Sequence, residues 1–76
     1  MLKSVTFEVV GEQRMNCSAC EQRVIRLLKG VEGVGQVRAH ADTQRIDVLF
    51  DAALLQAEAI AQRLGAAGYK TKVASL

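Results

Sequence analysis

An α+β fold with the element order β-α-β-β-α-β is predicted from three features of the sequence. The first is period-two alternation of apolar and polar residues over residues 3–10, 35–41 and 45–50. The second is helical spacing of apolar residues in two other stretches, one opening at Ser18 and one spanning residues 53–67. The third is glycine where the helical patterns break off, at Gly30, Gly33 and Gly68.

Taken in chain order, residues 3–10 place Val5, Phe7 and Val9 on one side and Thr6 and Glu8 on the other, which predicts a strand with one buried face. Residues 11–16 are polar and read as a loop. Ser18 with Glu21 three positions later is a capping-box pattern, in which each side chain satisfies a free backbone N–H at a helix start. From Cys20 onward, Val24, Leu27, Leu28 and Val31 recur at helical spacing. Gly30 and Gly33 then supply the stop. Val37, Ala39 and Ala41 share one face of a second strand. Asp42-Thr43-Gln44 reads as a turn, and Ile46, Val48 and Phe50 face inward from a third strand, so the middle pair reads as a hairpin. The second helix, residues 53–67, carries the stripe Ala57, Ile60, Leu64 and Ala67, with Gly68 ending it. Residues 69–73 read as a short last strand. Right-handed crossovers in this order give the split βαβ, ferredoxin-like sandwich: a four-stranded antiparallel sheet with both helices on one face.

The bulk numbers agree with one small domain over residues 1–76. A 76-residue chain buries only about 60–65% of the surface its unfolded form exposes, enough for one core and one site. Hydrophobic residues make up 50% and charged residues 24%, a globular balance rather than a disordered one. The formal charge of +2, with two Phe, one Tyr and no Trp, argues against a nucleic-acid binder, which carries a basic stripe and often stacking aromatics. No apolar run of membrane-spanning length is present, and no secretory signal precedes the first strand, so the expectation is a cytoplasmic protein without membrane insertion. In a reducing compartment, a cysteine pair is a metal or redox site before it is a structural bridge.

Both cysteines lie in one C-x-x-C, Cys17-Ser18-Ala19-Cys20, where the first loop meets the first helix. This spacing lets two sulfurs converge on one ion when the first sits in the loop and the second in the opening turn. The positive end of a helix favours thiolate over thiol. Cysteines so placed titrate at roughly 3.5–7.5 rather than about 8.5. Thiolates are soft ligands and select Cu(I) over hard ions. The ligand count narrows the choice further. Structural Zn²⁺ takes four ligands and catalytic Zn²⁺ three plus water, whereas this chain offers one cysteine pair and a single His40, far away in sequence. Cu(I) and Hg(II) accept two sulfurs in near-linear geometry. A two-sulfur site also leaves room for incoming thiolates, so an ion can pass to a partner by ligand exchange.

The stretch Met15-Asn16-Cys17-Ser18-Ala19-Cys20 resembles the M-x-C-x-x-C signature of heavy-metal-associated domains, the family of copper chaperones, mercury-binding carriers and N-terminal modules of metal-pumping P-type ATPases. The likeness extends to Leu28-Lys29-Gly30-Val31-Glu32-Gly33-Val34 and to Gly68-Tyr69, and so covers nearly the whole chain. It implies that Cys17 and Cys20 are the ligands, that Met15 is a buried tether for the loop, and that Tyr69 stands beside the metal loop. Asn16 replaces the Asp that zinc-, cadmium- and lead-selective members often place before the first Cys, which favours Cu(I), with Ag(I) and Hg(II) as alternatives. Arg14 departs from the Gly, other small residue or His usual before the Met; a cation there balances a bis-thiolate site or meets a partner.

The resemblance implies a soluble copper metallochaperone that catalyses no reaction. It would deliver Cu(I) to a metal-binding domain of a copper-transporting P-type ATPase or to a copper-responsive regulator, as a monomer able to form a metal-bridged dimer. Two further carrier readings stand beside it, a mercury(II) carrier and a domain excised from an ATPase. A thiol–disulfide oxidoreductase uses the same C-x-x-C for the same electrostatic reason, but the chain has no proline to provide the cis-Pro of thioredoxin-like sites. Gly33 and Gly35 do not complete a G-x-G-x-x-G phosphate loop, because Arg38 occupies the last position. His40 reads as a strand residue. Lys70 and Lys72 read as a solvated strand face or, with Arg14, as a basic rim that steers an acidic partner.

Overall fold

The computed structural model describes residues 1–16 and 18–75. Six elements follow in the predicted order: β1 (Leu2–Val9), α1 (Ser18–Lys29), β2 (Val34–His40), β3 (Arg45–Asp51), α2 (Ala57–Ala66) and β4 (Thr71–Ser75). All three strand pairings are antiparallel, and the strands lie side by side as β2-β3-β1-β4.

The core follows from the alternation. Val5 pairs with Val48 and Phe7 with Ile46 across β1 and β3, and Val37 pairs with Val48 from β2. Directly opposed residues share a sheet face. That face meets Val24 and Leu28 of α1, four residues apart, and Ile60 and Leu64 of α2, also four apart, in one buried cluster. Both helices therefore cover the same side. Thr6, Glu8, Asp47 and Lys72 occupy the other side, open to water. This is the ferredoxin-like α+β sandwich.

Four local details depart from expectation. The second helix starts at Ala57 rather than Ala53. Asp51 is the cause: its carbonyl accepts the N–H groups of Leu54 (3.0 Å) and Leu55 (3.1 Å), and its carboxylate accepts that of Ala53 (2.9 Å). These bonds close a separate turn and leave Gln56 extended at the helix entry. At the far end the helix stops at Ala66, and Ala67 is exposed rather than part of the buried stripe.

The last strand begins at Thr71, not at Tyr69. Gly68 takes φ +99° and the Tyr69 N–H folds back to Leu64 O at 2.9 Å, so residues 67–69 finish the helix rather than open the strand. Tyr69 itself is buried. The chain joins the sheet only at Lys70, whose carbonyl accepts the Val10 N–H at 2.7 Å. The second strand ends at His40, and Ala41 turns its N–H away from the ladder.

The fourth departure is at the start of α1. Ser18 is the first helical residue, and Glu21 accepts the N–H of Ala41 at 2.7 Å. Glu21 thus spends its carboxylate on the β2–β3 turn, where the capping-box pattern expected it to turn back to Ser18. A long-range backbone donor has displaced a local one.

Candidate metal centre

Cys17 lies outside the described residues, so the geometry of the motif is read from its flanks. On one side stands Met15, 1% exposed and part of the buried cluster. On the other, Cys20 is the third residue of α1, half-buried and packed against the same cluster. Tyr69, 2% exposed, belongs to that cluster too. The core thus holds the entry and the exit of the motif. Asn16, Ser18 and Ala19 are exposed. The opening turn of α1 presents the positive end of the helix, which favours anionic sulfur.

The loop is also held from outside. The Gln44 carboxamide Oε1 accepts the Met15 N–H at 2.9 Å, and Nε2 donates to the carbonyls of Met15 (2.5 Å) and Ala41 (2.6 Å). One residue beyond the motif, Glu21 bonds Ala41 of the same turn. At the loop's stem, Gly68 takes φ +99°, a conformation that favours glycine, and the end of the Gln13 side chain lies 3.0 Å from where its Cβ would be.

The remaining predicted residues divide. Arg14 is exposed next to Met15. Lys70 stands against the loop: its side chain would meet a Cβ on Gly11 at 3.2 Å, and it shares a shallow depression with Gly11, Glu12, Gln13 and Gly68. Lys72 does not join them. It sits opposite Glu8 on the open face of the sheet, with Nζ 3.6 Å from Glu8 Oε1. The two lysines thus have different neighbours: Lys70 precedes β4 and lies beside Gly11 and Gly68, whereas Lys72 lies within β4 across from Glu8. His40 also lies away from the motif, with Nε2 3.4 Å from Asp47 Oδ2. Among the described residues, no three His, Cys, Asp or Glu side chains converge as a metal cage.

Sequence reasoning did not find Gln44 or the Glu21–Ala41 bond. The available signal was Gln44 itself, a long amide at the end of a turn where glycine or asparagine is the common choice.

A family model for the heavy-metal-associated domain matches residues 6–70, which contain both cysteines, the loop and five of the six elements in full or in part. The chain belongs to the heavy-metal-associated domain family. Its relatives include the mercuric transport protein periplasmic component of Pseudomonas aeruginosa, 34% identical over 71 residues, covering 93% of this chain and 75% of the relative. Among solved structures, this heavy-metal-associated domain superposes on oxidised MerP from Ralstonia metallidurans with a TM-score of 0.86 at 32% identity, covering 99% and 100% of the two chains. It superposes on a copper-binding domain of a P-type ATPase with a TM-score of 0.85 at 29% identity, covering 95% and 93%. Members of this family bind heavy metals, and the overall fold is shared with a mercury-associated and a copper-binding relative.

Proposed function

We propose that this heavy-metal-associated domain is a carrier, not an enzyme, and that it holds one Cu(I) ion between the thiolates of Cys17 and Cys20. The single observation behind the reading is the placement of the motif. The residues on either side of it, Met15 and Cys20, are anchored in the core, while Asn16, Ser18 and Ala19 face water. A site of this kind is preorganised for the ion yet open to the sulfurs of a receiver. Two soft donors suit a two-coordinate d¹⁰ cation. Transfer proceeds by thiolate exchange: an incoming partner thiolate binds the ion, giving a three-sulfur intermediate, and one carrier thiolate then leaves. No electron moves, and the ion is never released free.

The receiver in this reading is the metal-binding domain of a metal-transporting P-type ATPase or a copper-responsive regulator, met in the cytoplasm. A neighbouring structure of matched length comes from such an ATPase, which supports a partner of that kind. Hg(II) in place of Cu(I) is the second reading. The specific support for it is the identity of 34% and 32% to two periplasmic mercuric transport components, from Pseudomonas aeruginosa and an Alcaligenes species. Those relatives also make cell fractionation the direct check on location.

The test is anaerobic competition of the reduced chain for Cu(I), Hg(II) and Zn(II), with X-ray absorption to count sulfur neighbours. The expected result is one ion per chain with two sulfur neighbours, and retention of Cu(I) against a mild chelator. Cys17→Ser and Cys20→Ser each abolish that retention while leaving the far-ultraviolet circular dichroism unchanged. Retention of Hg(II) with loss of Cu(I) would select the second reading, and turnover of a dithiol substrate would replace both with an oxidoreductase.

A further inference from the structure

Gln44 holds a backbone conformation that disfavours a side chain and uses its side chain where a shorter residue would not reach. Its φ is +58°, and it is the only non-glycine with positive φ among the described residues. Glycine enters this region freely and asparagine several-fold more readily than most residues. Gln44 nevertheless directs its carboxamide at the backbone of Met15, accepting from the N–H at 2.9 Å and donating to the carbonyl, as a neighbouring strand residue would. The amide is itself fixed in orientation, because Nε2 also donates to Ala41 O within the turn. The Gln44 backbone is pinned as well, its carbonyl accepting the Val9 N–H at 2.7 Å where β1 ends. Met15 is therefore held twice, by its side chain in the core and by Gln44 along its backbone, two residues before Cys17.

We infer that Gln44 is a positioning residue for the metal loop: its carboxamide pairs with both backbone polar groups of Met15 and so fixes the point from which the chain enters the C-x-x-C. The inference rests on the carrier reading above and deepens it. A two-sulfur site has no further ligand to compensate for a displaced sulfur, so affinity depends on where the loop delivers the first one. Groups that orient a ligand from behind alter metal affinity by about 10–100-fold when removed.

Gln44→Gly and Gln44→Asn separate this role from a structural one. Both residues suit the left-handed φ, and neither can carry an amide to Met15. Thermal unfolding, amide hydrogen exchange at Met15, and anaerobic Cu(I) and Hg(II) competition are measured on wild type and both variants. The expected result is protein that stays fully folded at the assay temperature, with any fall in melting temperature set by the lost hydrogen bonds less the relief at φ, Met15 N–H exchange at least about tenfold faster, and metal held about tenfold more weakly. Affinity that falls in protein that remains fully folded is the signature of positioning. Variants that hold the metal within about twofold of wild type overturn the inference. So do variants whose affinity loss is matched by a loss of folded protein. If wild type itself retains neither ion, the carrier reading fails and this inference with it. If wild type retains an ion and both variants match it, only the role of Gln44 fails.

Discussion

The carboxylate of Glu21, in the first turn of α1, accepts the backbone N–H of Ala41 at 2.7 Å across 20 residues of chain. The bond ties the helix that carries Cys20 to the β2–β3 turn, and the donor is partly buried, with its strand ladder already ended at His40. Hydrogen bonds to charged groups contribute about 1.5–3 kcal/mol, less where water reaches them. Glu21→Ala is expected to destabilise the fold by about 1–2 kcal/mol, lowering the melting temperature by roughly 4–16 °C for a domain of this size. Glu21→Gln keeps an acceptor and recovers part of the loss. Thermal unfolding of the three proteins checks the order, and equal stability for Glu21→Ala and wild type would remove the strut from the account.

The contrast between what was legible and what was not has a physical basis. Val5, Phe7 and Val9, and likewise Ile46, Val48 and Phe50, are readable because burial on one sheet face imposes a period of two, whatever lies opposite. Cys17 and Cys20 stand out in the sequence as candidate ligands because soft-metal chemistry is written in residue type and spacing. The Ser18–Glu21 pattern misleads because Ser18 is already the first helical residue and not the cap, and the Glu21 carboxylate bonds a distant N–H instead. Asp51 misleads similarly: helix propensity begins at Ala53, but the Asp51 carboxylate and carbonyl capture the next N–H groups and delay α2 to Ala57. Gln44 is invisible because its role depends on the sheet bringing a turn beside a loop 29 residues earlier.

Gly33 is constrained by backbone and space together. Its φ is +97°, and a Cβ there would lie 2.4 Å from the Leu55 side chain and 3.1 Å from Leu54 Cβ. The first contact can relax by rotation of a side chain end, but the second is close to the backbone. The Gly33 carbonyl also accepts the Asp51 N–H at 2.7 Å, which limits how far the segment can shift. Gly33→Ala should therefore cost about 2–4 kcal/mol, combining the left-handed penalty with overpacking. Gly65→Ala is the control, because nothing lies within 4 Å of a Cβ there and the residue is helical; it should stabilise by up to about 1 kcal/mol. Urea denaturation of both variants measures the difference, and equal midpoints would contradict the packing argument.

Asp51 connects stability to pH. The Ala53 N–H and then the amino terminus, whose nitrogen is 3.0 Å from Oδ1, hold its carboxyl below the ordinary value of 3.8. A carboxyl depressed in the folded state binds its proton more weakly there than in the unfolded chain, so stability rises with pH across this range. Its contribution is complete above the ordinary carboxylate value and is lost as pH falls through the folded one. Nuclear magnetic resonance titration of the Asp51 side chain should give a midpoint below 3.8, and Asp51→Asn should flatten the acid limb of the stability curve. A midpoint at or above the ordinary value would refute the bonding seen at the α2 entry.

Lys70 and Lys72, two residues apart, have different surroundings and should behave differently in metal transfer. Lys70 flanks Gly11, Glu12, Gln13 and Gly68 at the base of the loop that leads to the C-x-x-C. Lys72 faces the open side of the sheet, where Glu8 lies 3.6 Å away and partly neutralises it. Charges at the rim of a docking site change the association rate and its salt dependence more than they change the fold. Lys70→Glu is therefore expected to slow transfer to an acidic receiver domain about threefold at low salt and to flatten the dependence on ionic strength. Lys72→Gln should leave the rate unchanged and cost at most about 0.5 kcal/mol of stability, since the lost ion pair is exposed. Stopped-flow transfer measured from low to high salt distinguishes the two positions. Equal slowing by both variants would mean that the receiver reaches the open face of the sheet, and no slowing by Lys70→Glu would exclude this flank of the loop from the docking surface.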